Sequence, residues 1–319
     1  MEQKTLASDA SYFLGLDGGG TKTECVLADA RGRVVARATA GPSNPLRTGY
    51  ARAWFALSEA GDRVLAAEKI RAGHVQAICA GLGGAGRPSV VRRVKTFLEG
   101  SYPNAKIRVT TDLELALEAA FGACEGIVLL AGTGSAAFGR DASGKTVRAG
   151  GRGPWVSDEG SAFDIGRRAV RAVTLAEEHR GPKTELSQHL FPLHQCSGWD
   201  SLAEHIAKNP DDVFPRTFPL VAELADKGDG VCREIMMRAG AELAELAASV
   251  ANELGWRDRS FGLAKVGGVY GRSKFLDAVI ETELARRLPG AHAVPVQSSP
   301  EEAAVRMAMR LVTAKGNAA

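Results

Sequence analysis

The chain has 319 residues, of which 45% are hydrophobic and 24% charged, as in an ordinary globular protein of one large or two medium domains. A net charge of +3, with lysine and arginine scattered along the chain, predicts neither a nucleic-acid nor a membrane partner. Five isolated cysteines and the lack of a signal-like or membrane-spanning apolar segment predict free thiols and a cytoplasmic location.

Apolar periodicity predicts an α/β protein in which strands and helices alternate. Helices are expected at about 50–67, 89–99, 113–121, 160–179, 231–254, 273–287 and 300–314. Strands are expected at about 12–17, 23–28, 33–39, 75–82, 106–111, 126–131, 136–140, 146–149, 260–267 and 292–296. Residues 181–230 are richer in proline and polar residues and are interpreted as inserted helices.

The stretch GRDASGKT, residues 139–146, matches the P-loop pattern G-x-x-x-x-G-K-[ST]. A P-loop must open a helix, but Gly150, Gly151 and Pro154 follow where the first helical turns would stand. An apolar segment of strand length precedes the stretch. These observations predict a β-hairpin, with Gly144 at the turn position that requires a positive φ.

Two segments of the chain resemble one another. Residues 20–35 (GTKTECVLADARGRVV) align without a gap on residues 132–147 (GTGSAAFGRDASGKTV), and an apolar strand precedes each. The repeated unit is a strand, a Gly/Thr turn, a strand, an Asp-x-x-Gly turn and a strand. Such duplication predicts two α/β domains facing one another, with the break near 121–125.

The two Gly/Thr turns are candidate phosphate sites. In LGLDGGGTKT, residues 14–23, three consecutive glycines allow backbone amides to face a phosphate, and Asp17 is placed to hold Mg²⁺ through water. A tight hairpin turn without a ligand is the alternative. AGTGS, residues 131–135, is the same turn in the second copy. The duplication is the main evidence that this short motif is also a phosphate site.

Three further stretches carry polar groups with two possible roles each. Asp112, in VTTD, either caps the helix that follows or serves as a general base for a sugar hydroxyl. Asp158 and Glu159 either compensate a helix dipole or bind a polyhydroxylated ligand. Gly267 and Gly268 either admit a flat ring or merely connect a strand to a helix.

Taken together, DGGGTKT, AGTGS and VGGV resemble the sugar kinase/heat-shock-70/actin superfamily, in its BadF/BadG/BcrA/BcrD ATPase and N-acetylglucosamine kinase branch. The order and spacing of the motifs match over nearly the whole chain. GPSNP (41–45) and GGRGPWVSDEGSAFDIGR (150–167) are similar to elements of the amino-sugar kinases. Arg152 departs from the aromatic residue that many N-acetylglucosamine kinases carry, which leaves the amino sugar open.

The resemblance implies two ribonuclease H-like (actin-like ATPase) domains with a cleft between them. The first would comprise residues 1–121, completed by a C-terminal helix at 300–316, and the second residues 122–299 with a helical insertion at about 181–255. The implied site uses Asp112 as catalytic base, Asp17 for Mg²⁺, and an amino-sugar site of Asn44, Thr133, Gly151 and Asp158. The implied ATP site comprises Gly18, Gly19, Gly20, Thr21, Lys22, Gly132, Thr133, Gly134, Ser135, Gly267 and Gly268.

The expected activity is transfer of the γ-phosphate of ATP to the 6-hydroxyl of N-acetylglucosamine or glucosamine, by a homodimer that needs Mg²⁺. Two alternatives stay open. One is an activator ATPase of a radical dehydratase, although the cysteines lack the context of an iron–sulfur site. The other is a non-catalytic sugar-sensing protein on the same fold.

Overall fold

The computed structural model describes residues 11–313, and the chain divides into two compact units. Unit 1 comprises Met1–Ala123 together with Gln297–Ala319, and unit 2 comprises Cys124–Val296. The last residues of the C-terminal helix expected at 300–316 lie outside the described residues. Within residues 11–313, no helix is long and apolar enough to cross a membrane.

Unit 1 is built on one five-stranded mixed sheet. Its strands are β1 (Tyr12–Gly18), β2 (Thr23–Ala28), β3 (Val34–Ala40), β4 (Val75–Leu82) and β5 (Lys106–Thr110). Its helices are α1 (Pro45–Thr48), α2 (Tyr50–Ala67), α3 (Pro88–Ser101), α4 (Asp112–Phe121) and α11 (Pro300–Thr313).

The sheet of unit 1 runs in the order β3-β2-β1-β4-β5. The first three strands form an antiparallel meander, whereas β4 and β5 run parallel to β1. The carboxyl ends of β1, β4 and β5 therefore meet at one edge, where α/β sheets bind ligands. On one face α11 packs so closely on β1 that a Cβ on Gly15 would lie 2.0 Å from the Glu301 carbonyl oxygen, so this position requires glycine.

Unit 2 repeats the same plan. Its strands are β6 (Gly126–Ala131), β7 (Ser135–Arg140), β8 (Thr146–Gly150), β9 (Phe261–Val266) and β10 (Ala291–Ala293). Its helices are α5 (Ala162–Glu177), α6 (Leu186–His194), α7 (Trp199–Lys208), α8 (Pro210–Lys227), α9 (Gly230–Glu253) and α10 (Lys274–Arg287). The sheet order β10-β9-β6-β7-β8 is that of unit 1 read from the other edge, with an antiparallel β6-β7-β8 meander and parallel β9 and β10. The internal duplication expected from the sequence is confirmed.

The P-loop pattern at 139–146 is a β-hairpin, as its context predicts. β7 and β8 pair in antiparallel register, and Gly144 has a φ of 87° in the turn between them. The carboxylate of Asp141 accepts hydrogen bonds from the backbone N–H groups of Ser143 and Lys145, both at 2.9 Å. The Lys145 ammonium donates to the carbonyl of Glu253 at 3.1 Å. This loop therefore does not open a helix and lacks the feature by which P-loops bind phosphate.

The interpretation of residues 181–230 as helices is confirmed by α6, α7 and α8, which pack with α5 and α9 around the larger core of unit 2. Phe163, Phe214 and Trp155 meet edge-on at the end of this core, with Phe163 and Phe214 4.9 Å apart between ring centroids. Two local expectations were incomplete. The short helix α1 was not predicted because four residues cannot show a helical period, and β10 stops at Ala293 instead of continuing to 296.

A buried carboxylate joins α4 to α11 in unit 1. Glu118 is 1% exposed and accepts hydrogen bonds from both terminal nitrogens of Arg310, at 2.9 and 2.6 Å. Arg306 lies 3.8 Å from the same carboxylate and also donates to the Glu118 carbonyl. Since a buried charge without a partner is costly, these contacts fix the C-terminal helix on the N-terminal part of the chain.

Replacing Arg310 by methionine should lower the free energy of unfolding by about 1–3 kcal/mol, because Glu118 loses its bidentate partner while the apolar stem is kept. The measurement is chemical denaturation followed by circular dichroism. Lys95→Met is the matched control, since Lys95 and Glu99 form an exposed pair at 3.6 Å whose loss should cost at most about 0.5 kcal/mol. Equal effects of the two substitutions would contradict this account of Glu118.

Candidate functional site

The first Gly/Thr turn connects β1 to β2 at the carboxyl edge of the unit 1 sheet. The N–H of Gly19 donates to the carbonyl of Lys22 at 2.9 Å, which closes the turn. The carbonyl of Gly19 accepts two hydrogen bonds, from the backbone N–H groups of Ser43 at 3.1 Å and Asn44 at 3.0 Å. The turn is thus fixed to the segment that precedes α1.

The three glycines of this turn have different surroundings. A Cβ on Gly18 would lie 2.1 Å from the Ser43 hydroxyl and 2.3 Å from Leu82, so close packing explains this glycine without a ligand. A Cβ on Gly19 would meet nothing nearer than 3.7 Å, so packing does not explain its identity. A Cβ on Gly20 would lie 2.7 Å from a guanidinium nitrogen of Arg47. Open backbone at Gly19 is consistent with close approach of a ligand.

The last two predicted phosphate contacts of this turn, Thr21 and Lys22, are exposed. The Lys22 side chain is 62% exposed, and its ammonium forms an ion pair with Glu24 on β2. Glu24 accepts a second hydrogen bond from the Thr39 hydroxyl at 2.7 Å. This pairing raises the pKa of Lys22 and lowers that of Glu24. The Lys22 side chain therefore engages a neighbouring carboxylate and not the glycine turn.

Asp17 stands at the end of β1 in a strongly negative environment. Burial is the main cause that raises its pKa to about 7, and the charges of Asp112, Glu301 and Glu24 add to the effect. Asp17 is level with Gly81 of β4, which in turn pairs with Thr110 of β5, two residues before Asp112. Three parallel strands, β1, β4 and β5, thus bring the predicted metal ligand and the predicted base to one edge of one sheet.

Asp112 is the first residue of α4 but does not cap it. The N-cap is Thr111, whose hydroxyl accepts a hydrogen bond from the N–H of Glu114 at 3.1 Å. The Asp112 carboxylate accepts from the N–H of Leu113 at 3.0 Å. The capping role that the sequence left open for Asp112 belongs to its neighbour, so capping does not account for this carboxylate.

Asn44 is the N-cap of α1, where its side-chain oxygen accepts from the N–H of Leu46 at 3.1 Å. Its amide group lies against the backbone of the next loop. A Cβ on Gly83 would be 2.9 Å from the Asn44 amide nitrogen, and one on Gly84 would be 3.1 Å from its oxygen. Asn44 is half-buried beside the first glycine turn, to which its own backbone N–H is bonded.

The second Gly/Thr turn lies at the corresponding edge of the unit 2 sheet. The N–H of Gly132 donates to the carbonyl of Gly134 at 2.8 Å, which closes the turn. The carbonyl of Gly132 accepts a hydrogen bond from the N–H of Ala162 at 2.9 Å. A Cβ on Gly134 would lie 2.8 Å from a carboxylate oxygen of Asp158. The Ser135 hydroxyl donates to the carbonyl of Glu159 at 2.6 Å. The fold therefore brings together two motifs that the sequence holds apart.

Asp158 is not needed at the start of α5. That helix is capped by Ser161, whose hydroxyl accepts from the N–H of Asp164 at 3.2 Å, and Asp164 supplies the acidic group of the first turn. Asp158 itself is 8% exposed. Other residues therefore fill the helix-dipole role that the sequence left open for Asp158. That role does not account for the Asp158 carboxylate.

The loop between β8 and α5 is held by its own backbone. Gly151 has a φ of 68°, and its N–H donates to the carbonyl of Ser157 at 2.8 Å. Arg148 donates to the carbonyl of Gly150 at 3.0 Å and also to that of Gly151. Arg152 is exposed. These bonds place Gly151 next to the residue that precedes Asp158.

Gly267 follows β9 and packs against the second glycine turn. Its φ is 120°, and a Cβ there would lie 2.2 Å from the Ala131 carbonyl oxygen, which itself accepts from the N–H of Val269 at 3.1 Å. This close approach explains why residue 267 is a glycine. Gly268 has nothing within 4 Å of its Cβ position and is exposed, so open space adjoins this backbone.

No group of three or more His, Cys, Asp or Glu residues in the described range 11–313 is arranged to hold a metal ion. The role of Asp17 as a ligand of Mg²⁺ through water stays a prediction, since outer-sphere binding needs few protein ligands. A cation there would also offset the negative charge that Asp112, Glu301 and Glu24 place around Asp17. The donor chemistry of this edge fits a hard divalent cation.

The sequence interpretation missed two features of the unit 1 site. Thr111 was not considered as the cap, although Thr-x-x-Glu before an apolar run is a capping-box signal that could have identified it. Arg47 was not considered at all, because nothing in the pattern of GPSNPLRTG relates it to a glycine turn more than twenty residues earlier.

Comparison with known proteins gives concordant results. The chain is 31% identical to an N-acetyl-D-glucosamine kinase of Dictyostelium discoideum, over 93% of this chain and 97% of that protein. It is 28% identical to an N-acetylmuramic acid/N-acetylglucosamine kinase of Clostridium acetobutylicum, over 83% of this chain and 87% of that protein. A crystal structure from Chromobacterium violaceum, of a protein provisionally assigned as an N-acetylglucosamine kinase, superposes with a TM-score of 0.77 at 24% identity, covering 94% and 99% of the two chains.

The fold class expected from the sequence, α/β with two actin-like ATPase units, is confirmed by this likeness and by the two equivalent sheets. The model of the BadF/BadG/BcrA/BcrD ATPase family matches residues 14–305, which include both glycine turns, Asp112, Asp158 and the Gly267-Gly268 pair. The chain is a member of the BadF/BadG/BcrA/BcrD ATPase family and uses ATP.

Proposed function

We propose that this protein is an amino-sugar kinase that transfers the γ-phosphate of ATP to the 6-hydroxyl of N-acetylglucosamine or glucosamine. The observation that carries the proposal is the carboxyl edge of the unit 1 sheet, where Asp17 and Asp112 lie beside a glycine turn and neither caps a helix. Kinases named for these sugars are similar to the chain over most of its length.

In the proposed reaction the oxygen of the sugar 6-hydroxyl forms a bond to the γ-phosphorus. The bond between that phosphorus and the β–γ bridging oxygen breaks, and ADP leaves with the electron pair. Asp112 accepts the hydroxyl proton as the new bond forms, a contribution worth about 10²–10⁴-fold in rate. Positioning and charge neutralisation supply most of the remaining catalysis in phosphoryl transfer.

Asp17 would hold Mg²⁺ through water at the end of β1. When bound, the ion neutralises the charge of the β- and γ-phosphates. The chain's own contribution is the carboxylate, which becomes fully charged in the presence of a cation despite the negative groups near it. The glycine turn beside it offers the exposed backbone of Gly19 for close approach of a phosphate.

The sugar-binding assignment rests on polar groups near each glycine turn. In unit 1, Asn44 is bonded through its backbone to the first turn. In unit 2, Asp158 lies against Gly134, which follows Thr133 in the second turn, and Gly151 is bonded to the residue before Asp158. Carboxylate and amide oxygens accept hydrogen bonds from sugar hydroxyls, which suits a polyhydroxylated ligand.

We propose that ATP contacts both glycine turns and the backbone after β9. The proposed contacts are the residues predicted from the sequence, which are Gly18–Lys22, Gly132–Ser135, Gly267 and Gly268. Gly268 is supported by its open, exposed backbone. Lys22 is the weakest member of the set, because its ammonium is paired with Glu24.

We propose that units 1 and 2 are the two ATPase domains, with α11 belonging to the first. We also propose that the protein acts in the cytoplasm as a homodimer without a nucleic-acid partner. All five cysteines are free thiols, which supports a reducing compartment.

The activator-ATPase alternative requires cysteine thiolates that hold an iron–sulfur cluster. Cys25, Cys79 and Cys232 are buried, and burial raises the pKa of each thiol above its usual value, whereas Cys124 is exposed and Cys196 is half-buried. The five cysteines are isolated in sequence and lack the spacing of a cluster site, which counts against this alternative. A sugar-sensing role without catalysis has no use for two carboxylates beside a phosphate turn. Purified protein that is colourless would count further against the activator.

The decisive experiment is a coupled ADP-release assay with N-acetylglucosamine, glucosamine, N-acetylmannosamine, glucose and N-acetylmuramic acid as acceptors. We expect sugar-dependent ADP release with at least one amino sugar, and a 6-phosphorylated product by mass spectrometry and NMR. Sugar-independent ATP hydrolysis would favour the activator ATPase. Sugar binding without ADP release would favour the sensor.

Asp112→Asn should lower kcat about 10²–10⁴-fold and leave the affinity for the sugar within a few-fold, because only the proton acceptor is lost. Steady-state kinetics and calorimetric sugar binding measure the two effects. The control is Lys145→Ala, in the hairpin that mimics a P-loop, which should retain near wild-type activity. More than about a tenth of wild-type activity in Asp112→Asn would exclude its role as base.

Asp17→Asn should abolish Mg²⁺-dependent turnover and yet stabilise the fold above neutral pH. The folded state holds the Asp17 proton up to a pKa of about 7, against 3.8 for an ordinary aspartate, so wild-type stability is lost as pH rises from 4 through 7. The variant should therefore unfold with a higher free energy than wild type at pH 8, by about 1–2 kcal/mol. At pH 5 this gain in the free energy of unfolding should be smaller. Denaturation at both pH values tests this, and an equal gain would contradict it.

A further inference from the structure

We propose that Arg47, which lies beside Gly20 of the first glycine turn, is a further catalytic residue of this site. Its guanidinium would bind the γ-phosphate of ATP while that group is transferred. This inference rests on the proposed kinase function and adds a residue that the sequence motifs do not indicate. Arg47 lies in α1, outside both Gly/Thr turns and outside the β9 glycine pair.

The contact between Arg47 and the turn is close. A Cβ on Gly20 would lie 2.7 Å from one terminal guanidinium nitrogen of Arg47, 3.1 Å from its Cδ and 3.6 Å from its Cζ. The end of the arginine side chain thus occupies the space that a side chain on residue 20 would take. The guanidinium is therefore beside the backbone at which the phosphates are proposed to bind.

The segment that carries Arg47 is firmly attached to the turn. Ser43 and Asn44 both donate backbone hydrogen bonds to the Gly19 carbonyl, and the Ser43 hydroxyl accepts from the buried Thr23 hydroxyl at 2.7 Å. The N–H of Arg47 then donates to the Asn44 carbonyl at 3.1 Å. One helical turn therefore connects the proposed sugar contact, Asn44, to the guanidinium. The guanidinium is therefore on the same short segment as the proposed sugar contact and beside the turn proposed to bind the phosphates.

The charges of unit 1 suit a cation beside the turn. Asp112, Glu301 and Glu24 act on Asp17 with negative charge, which Lys22 offsets in part, and a triphosphate adds more negative charge. The lysine of the turn, Lys22, is already paired with Glu24. A planar guanidinium offers several N–H donors in a geometry that matches phosphate oxygens, and it stabilises charge in the transition state of phosphoryl transfer.

The test compares Arg47→Gln and Arg47→Lys with Arg52→Gln, an exposed arginine of α2 that serves as the matched control. Turnover is measured with the best amino sugar, and the affinities for ATP and ADP are measured without sugar by calorimetry. Arg47→Gln should lower kcat/KM for ATP about 100-fold, as expected for one lost transition-state donor, and Arg47→Lys should recover part of the loss. Arg52→Gln should stay within about twofold of wild type.

The ratio of ATP to ADP affinity separates phosphate binding from a structural role. Loss of a γ-phosphate contact in Arg47→Gln weakens ATP binding at least several-fold and leaves ADP binding unchanged. Equal weakening of both nucleotides, or unchanged turnover, would overturn the proposal. If wild-type protein phosphorylates no amino sugar, the kinase function fails, while the ATP-to-ADP ratio still decides whether Arg47 binds the γ-phosphate.

Discussion

The carbonyl group of Gly19 is the constraint on which the unit 1 site depends. It accepts backbone hydrogen bonds from Ser43 and Asn44 at once, so the glycine turn and the segment before α1 form one rigid piece. Because of this bond pair, Asn44 and Arg47 have fixed positions relative to the turn. Gly18 and Gly20 leave room for this approach, because a Cβ on either residue would collide with Ser43 or Arg47.

Electrostatics then determines what this edge of the sheet can bind. Parallel strands bring Asp17 and Asp112 together, and α11 adds Glu301 from the far end of the chain. Such a concentration of negative charge costs stability unless cations arrive with the ligand. This charge suits the metal ion and the cationic side chain proposed for the site, both of which assist phosphoryl transfer.

Duplication supplied the same turn twice, but the surroundings have diverged. In unit 1 the turn adjoins carboxylates at the ends of β1 and β5. In unit 2 the turn adjoins Asp158 and the backbone after β9, where Gly267 packs on the Ala131 carbonyl. One supersecondary unit thus has two different chemical surroundings, because the residues that follow its strands differ while the sheet order stays the same.

The elements, the duplication and the hairpin nature of GRDASGKT follow from the sequence alone, because period, turn residues and helix breakers act over a few neighbouring positions. The positions of Asp17, Asp112 and the glycine turns at strand ends follow from it too. Three features became known only from the folded chain: Thr111, and not Asp112, caps the helix, Lys22 pairs with Glu24, and Arg47 lies against Gly20. These outcomes depend on backbone angles and on contacts across strands and loops, which hydrophobic periodicity does not encode.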